Sequence, residues 1–249
     1  MRGANLQQAL VALVALGALA SIVVGNGGAA ADEPPLPPPR PADLTPAAPD
    51  AGSKTVPRSG TEAAGPACLA QLVASGARAE AATAPAPAAE SCGIASPVRL
   101  SSVTLANGDI VSLTDQPILA CAFAGVLADY IRLIVAPLGQ ALLHAEVVAI
   151  ETGPGYGCRT QDRIAGSKIS AHGRGLAVDV TAIAFADKRR LLVERQTGAE
   201  EAGYFRAART AACGWFTTVL GPGSDAYHAN NMHLDVEPHG SSGSYRICE

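Results

Sequence analysis

Residues 170–183 read SAHGRGLAVDVTAI, a glycine-bracketed loop carrying His172 that runs directly into an alternating segment. From Gly175 to Ile183, Leu176, Val178 and Val180 fall on one side and Ala177, Asp179 and Thr181 on the other. That period of two marks a half-buried strand. Its apolar side belongs to a core, and its other side presents Asp179 a few residues after a histidine loop. Met232–Val236 has the same character, with Leu234 and Val236 facing inward and His233, Asp235 and Glu237 facing the opposite way.

Working outward, Glu146–Thr152 is short and β-branched, hence a strand, followed by the glycine-rich turn Gly153–Gly157. Val98–Leu105 and Asp109–Leu113 flank Asn107-Gly108, a pair that tolerates the positive φ angles of a tight hairpin turn. Ser244–Cys248 reads as a further short strand. Leu119, Phe123, Val126, Leu127, Tyr130, Leu133 and Ile134 recur at helical spacing up to Pro137, where a helix should stop. Phe205, Ala208, Ala212, Trp215, Phe216 and Val219 trace a second helix, ended by Gly221-Pro222-Gly223. Cys68–Ser75 forms a short helix, and the low-complexity segment Ala77–Glu90 reads as a loop. The order predicts an α+β domain: a small, mainly antiparallel sheet packed with two principal helices.

The chain has 249 residues, 48% hydrophobic and 16% charged, with a formal net charge of −4. Without a basic surface, nucleic acid is not an expected partner. Ala9–Val24 is the long apolar run; it follows Arg2 and leads to Ala29-Ala30-Ala31, an A-x-A cleavage pattern. Residues 1–31 thus read as a signal peptide, the alternative being an uncleaved membrane anchor. In both cases the remainder is exported, secreted or periplasmic after cleavage and held on the membrane otherwise. Residues 32–66 form a Pro/Ala-rich linker with too few large apolar side chains to fold, and 67–249 the domain. All six cysteines, Cys68, Cys92, Cys121, Cys158, Cys213 and Cys248, lie in that domain without a C-x-x-C pair, so three disulfides are expected. Cys68 to Cys92 is the pairing favoured, because it would close a loop around Ala81–Ala89.

Four of the five histidines, His172, His228, His233 and His239, lie in the last third of the chain near Asp179, Asp225 and Asp235. Two imidazoles and one carboxylate with a fourth position open to water is a donor set suited to catalytic Zn²⁺. His172, Asp179 and His233 supply it if the loop folds back onto its strand. The alternative is a set of surface histidines in a polar loop.

The wider string sharpens this. Gly155-Tyr156-Gly157-Cys158-Arg159, then the S-x-H-x-x-G-x-A-x-D pattern from Ser170 to Asp179, then Met232-His233 resembles the zinc D-alanyl-D-alanine carboxypeptidase and murein endopeptidase group. Taken from Cys68 to Cys248, the chain is most similar to the bacterial extensin-like C-terminal domain family. The resemblance implies that fold, Zn²⁺ held by His172, Asp179 and His233, and Arg159 as the group that steadies an oxyanion. It implies local loop bonding for Ser170, orientation of a ligand by Asp235, and a cell-wall peptide or peptidoglycan as partner. The sequence departs from the pattern at the general base. Asn230 stands where the group has a carboxylate, and Asn231 where murein endopeptidases have a histidine. Asparagine cannot take a proton at neutral pH, which leaves His228 to manage protons, or else to be a loop histidine held by packing. Two functions follow: a zinc-dependent peptidase of cell-wall peptides, or a wall-binding module that retains the site without turnover. His144 reads as a helix-capping or core residue, His239 as part of a solvated turn, Lys188-Arg189-Arg190 as a hairpin turn or exposed edge, and Trp215 as core.

Overall fold

The computed structural model describes residues 65–85 and 91–249. The apolar run Ala9–Val24, its expected cleavage site and the linker up to residue 64 lie outside the described residues. Gly65 and Pro66, expected at the end of the linker, instead open helix α1 (Gly65–Ala74).

Ten strands form one mixed sheet: β1 (Ala77–Ala81), β2 (Pro97–Thr104), β3 (Ile110–Leu113), β4 (Ile118–Ala120), β5 (Val147–Thr152), β6 (Ala177–Phe185), β7 (Arg190–Leu192), β8 (Thr218–Leu220), β9 (Met232–Asp235) and β10 (Ile247–Cys248). The order is β1-β2-β3-β5-β6-β9-β8-β10, with β4 beside β2 and β7 beside β6. Pairing is antiparallel except for β3–β5 and β8–β10. The architecture is α+β, as the sequence predicts, with a larger sheet than expected. The Asn107-Gly108 hairpin joins β2 to β3, with Gly108 at φ 91°. Asp187-Lys188 turns between β6 and β7, so the basic cluster is a hairpin turn.

The central helix does not stop at Pro137. It runs as α2 (Cys121–Tyr130), a π-turn (Ile131–Val135) and α3 (Ala136–Leu143). Proline lacks a donor, and its ring clashes with the carbonyl four residues back. The π-turn widens the helix just before it, so that the Ala136 N–H reaches the Ile131 carbonyl, and Pro137 falls in the first turn of α3, where no donor is needed. The stop comes at His144, a capping position with left-handed backbone at φ 51°. Cys121–Leu143 is thereby, by length and apolarity alone, long enough to cross a membrane. Its apolarity has another cause: Phe123, Leu127, Tyr130 and Ile131 are buried against the sheet in the core.

The second principal helix, α4 (Ala199–Ala212), is also placed differently from expectation. It ends at Ala212, and Val219 belongs to β8. Phe205, Ala208 and Ala212 are the buried helical face, whereas Phe216 is core from a turn and Trp215 is half-buried near Tyr130. Two buried tyrosines cross-link the helices, Tyr130 donating to the Ala208 carbonyl at 2.9 Å and Tyr204 to that of Val135 at 3.2 Å. Each such bond contributes about 1 kcal/mol, and losing the acceptor would cost more.

The cysteines form three disulfides, Cys68–Cys121, Cys92–Cys158 and Cys213–Cys248, with Cα separations of 6.2, 5.7 and 6.0 Å. Cys68–Cys92 is therefore not a pair. The reason is that Ala77–Ala81, read as loop, is strand β1 on the edge of β2, so α1 lies against α2 and Cys68 meets Cys121. Three disulfides fit an oxidising, exported environment.

Candidate metal centre

Strands β6 and β9 run antiparallel with Asp179 directly opposite His233 and Val178 opposite Leu234. Directly opposed residues share one face of a sheet, with Cβ atoms about 4.5–5.5 Å apart. The alternation that buries Val178, Val180 and Leu234 in the core therefore places Asp179, His233 and Asp235 together on the other face. His172 arrives from a single helical turn, Ala171–Arg174, whose start is capped by Ser170 accepting from the His172 N–H at 3.4 Å. Gly175, at φ 67°, reverses the chain into β6. Gly173 lets this turn lie close to its surroundings, since a Cβ there would stand 2.5 Å from Ile169 and 3.1 Å from the Cys92 sulfur.

His172 Nε2 lies 3.2 Å from His233 Nδ1 and 3.3 Å from an Asp179 oxygen, and His233 Nδ1 lies 2.9 Å from the other. The remaining ring nitrogens are committed elsewhere. His172 Nδ1–H donates to the Gly155 carbonyl at 2.7 Å, and His233 Nε2–H to Asp235 at 3.0 Å. Two imidazole nitrogens and a carboxylate oxygen thus converge on one point. Groups at such distances need protons or a cation among them. The donor set, nitrogen and oxygen with each imidazole oriented by a hydrogen bond on its far side, suits a transition metal ion. Asp235 is itself held by the Thr217 hydroxyl at 3.2 Å and the Glu237 N–H at 3.0 Å.

Electrostatics follow the same geometry. Burial opposes ionisation of Asp179, but hydrogen bonds from His172 and His233 prevail and hold its carboxyl far below the usual range. Burial alone would lower the His233 pKa, yet Asp179 and Asp235 raise it to about 9. Asp235 is lowered: burial pushes it up, and the His233 hydrogen bond more than offsets this.

Arg159 is further out, its Nη2 3.8 Å from Asp179. It lies with Asp162 and His228 at the junction of two cavities, of about 290 and 300 Å³. His172, His233 and Asp235 line the first, and Asp179, Tyr227, Asn230 and Asn231 the second. The His228 ring meets that of His233 edge to face, with centroids 5.5 Å apart. Asn230 is exposed and accepts from the Asn231 amide at 3.2 Å. His239, expected in a solvated turn, is half-buried and within 2.7 Å of the Thr218 hydroxyl.

Two contributors escaped the sequence reading. The Gly155 carbonyl orients His172, and Gly155 adopts φ 77° with a Cβ position only 2.6 Å from the Ile118 carbonyl. Asp225 binds the His228 ring, a contact for which the Asp-x-x-His spacing was the available sign.

Residues 66–249 match the family described as Extensin-like protein C-terminus, and the chain belongs to that family. Comparison with curated proteins and with solved structures finds no match.

Proposed function

We propose that the protein is an exported zinc-dependent peptidase acting on cell-wall peptides, with peptidoglycan as the substrate polymer. One observation carries this reading: ring nitrogens of His172 and His233 and a carboxylate oxygen of Asp179 converge beside two adjoining cavities. Zinc held by these three residues would supply a Lewis acid that polarises a carbonyl and acidifies water. The chain's own groups do the rest. Arg159, a fixed positive charge at the junction of the cavities, would stabilise a developing oxyanion. His233 keeps its orientation through Asp235 and His172 through Gly155. His228 handles the proton, because Asn230 cannot.

A second reading is favoured by Asn230 and Asn231, whose side chains are bonded to each other in the cavity beside Asp179. A protein that keeps the metal and the cleft but lacks a base would bind wall peptide without cutting it.

Purified muropeptides incubated with the zinc-loaded protein separate the two. Hydrolysis by the unaltered protein that disappears in His172→Ala identifies an enzyme. Hydrolysis by Asn230→Asp alone identifies a site stripped of its base. Peptide binding with no hydrolysis by any variant identifies the binding module.

A further inference from the structure

The turn preceding β9 contains a carboxylate–imidazole pair. Asp225 Oδ1 accepts the backbone N–H of Tyr227 at 2.7 Å and of His228 at 3.0 Å, so the carboxylate is anchored by its own turn. Both its oxygens lie 2.8 Å from His228 Nδ1. An ionised carboxylate only accepts hydrogen bonds, so Nδ1 carries a proton, and in the neutral ring the lone pair is at Nε2. Among the described residues Nε2 has no hydrogen-bond partner, while the ring lines both cavities and is 13% exposed. His172 and His233 are likewise each oriented by a hydrogen bond at one ring nitrogen, to the Gly155 carbonyl and to Asp235.

We infer that Asp225 is a positioning residue that fixes His228 as the Nδ1–H tautomer, giving the cleft a nitrogen proton acceptor in place of the carboxylate missing at Asn230. What the pair does rests on the peptidase reading; that the pair exists does not. As the oxygen of a water bonds to the substrate carbonyl carbon, its proton passes to His228 Nε2. When the carbon–nitrogen bond breaks, that proton passes to the departing amide nitrogen. One water is consumed, one carboxyl and one amine are formed, and His228 returns to its starting form. The Asp225 carboxylate offsets the positive charge that the ring carries in between, the role of the third member of a catalytic triad.

Histidine-selective ¹⁵N NMR of the full chain, metal-free and zinc-loaded, tests the pair directly. The expected spectrum shows His228 protonated at Nδ1 and bare at Nε2, and this signature is lost in Asp225→Asn, whose amide can donate to Nδ1. That variant retains an oxygen for the two backbone donors, so it should fold. On a peptide that the unaltered protein hydrolyses, Asp225→Asn should lower kcat by up to about 10²- to 10⁴-fold with KM little changed, and Asp225→Glu should restore part of the loss. A mixed or Nε2–H tautomer in the unaltered protein overturns the assignment. So does an Asp225→Asn variant with full kcat, or loss of the metal itself in His228→Ala, which would make the ring a ligand. If the unaltered protein hydrolyses nothing, the peptidase reading falls, and the NMR spectrum still decides whether the pair exists.

Discussion

Zinc titrated into the metal-free protein at pH 7 should release about one proton, because the metal and a proton compete for the same nitrogen. His233 lies 2.9 Å from Asp179 and 3.0 Å from Asp235. Burial disfavours its charge, but the two carboxylates raise its pKa to about 9, so at pH 7 the ring is an imidazolium. Asp179, held well below the usual carboxylate range, has no proton to give. Displacing a proton two pH units below its pKa costs about 3 kcal/mol, or about 100-fold in apparent affinity. Apparent affinity should therefore rise about tenfold per pH unit between pH 7 and 9 and level off above. Calorimetry in two buffers of different ionisation enthalpy counts the released protons, and repeating it across pH gives the slope. A heat independent of the buffer, or an affinity flat from pH 7 to 9, would refute the shared-nitrogen argument.

The same shift sets the stability of the metal-free protein. A raised folded-state pKa contributes stability fully present below the ordinary histidine value of 6.5 and lost as pH rises through about 9, so Tm should fall across that window and stay flatter with zinc bound. Asp235→Ala removes the acceptor that orients His233 and should weaken metal binding about 10- to 100-fold, read by competition with a chelator. Gly155→Ala places a Cβ 2.6 Å from the Ile118 carbonyl at φ 77°, and denaturant unfolding should show a loss of about 1–3 kcal/mol together with weaker metal binding. Replacing Cys92 and Cys158 together by serine opens a crosslink spanning 66 residues and should lower stability by about 4 kcal/mol.

The grouping of His172, Asp179 and His233 is legible in the sequence because their chemistry and their periodicity coincide. In β6 and β9 one alternation separates Val178 and Leu234 from Asp179 and His233, so the pattern that builds the core also aligns the site. The helices were less legible. Pro137 carries the usual signal for a stop, and nothing local reveals that a π-turn just before it lets the helix continue. Phe216 and Val219 fit the helical period of α4 only because a turn and a strand also bury apolar residues, and periodicity does not distinguish these causes. The disulfides depend on which elements become neighbours, and β1, composed of Ala, Arg and Glu, has none of the β-branched residues that announce a strand. Gly155 acts through its carbonyl, which side-chain patterns cannot report.

The Cys92–Cys158 crosslink has a bearing on when the protein becomes competent. The Cys92 sulfur lies against the turn that presents His172, and the neighbouring Gly93 N–H donates to the Gly173 carbonyl at 2.9 Å. A chain that has not yet met an oxidant lacks this buttress, which leaves the turn carrying His172 less firmly held beside Asp179 and His233. If the centre holds a metal, a nascent, reduced chain should bind it more weakly than the oxidised one, so that filling of the site would follow thiol oxidation.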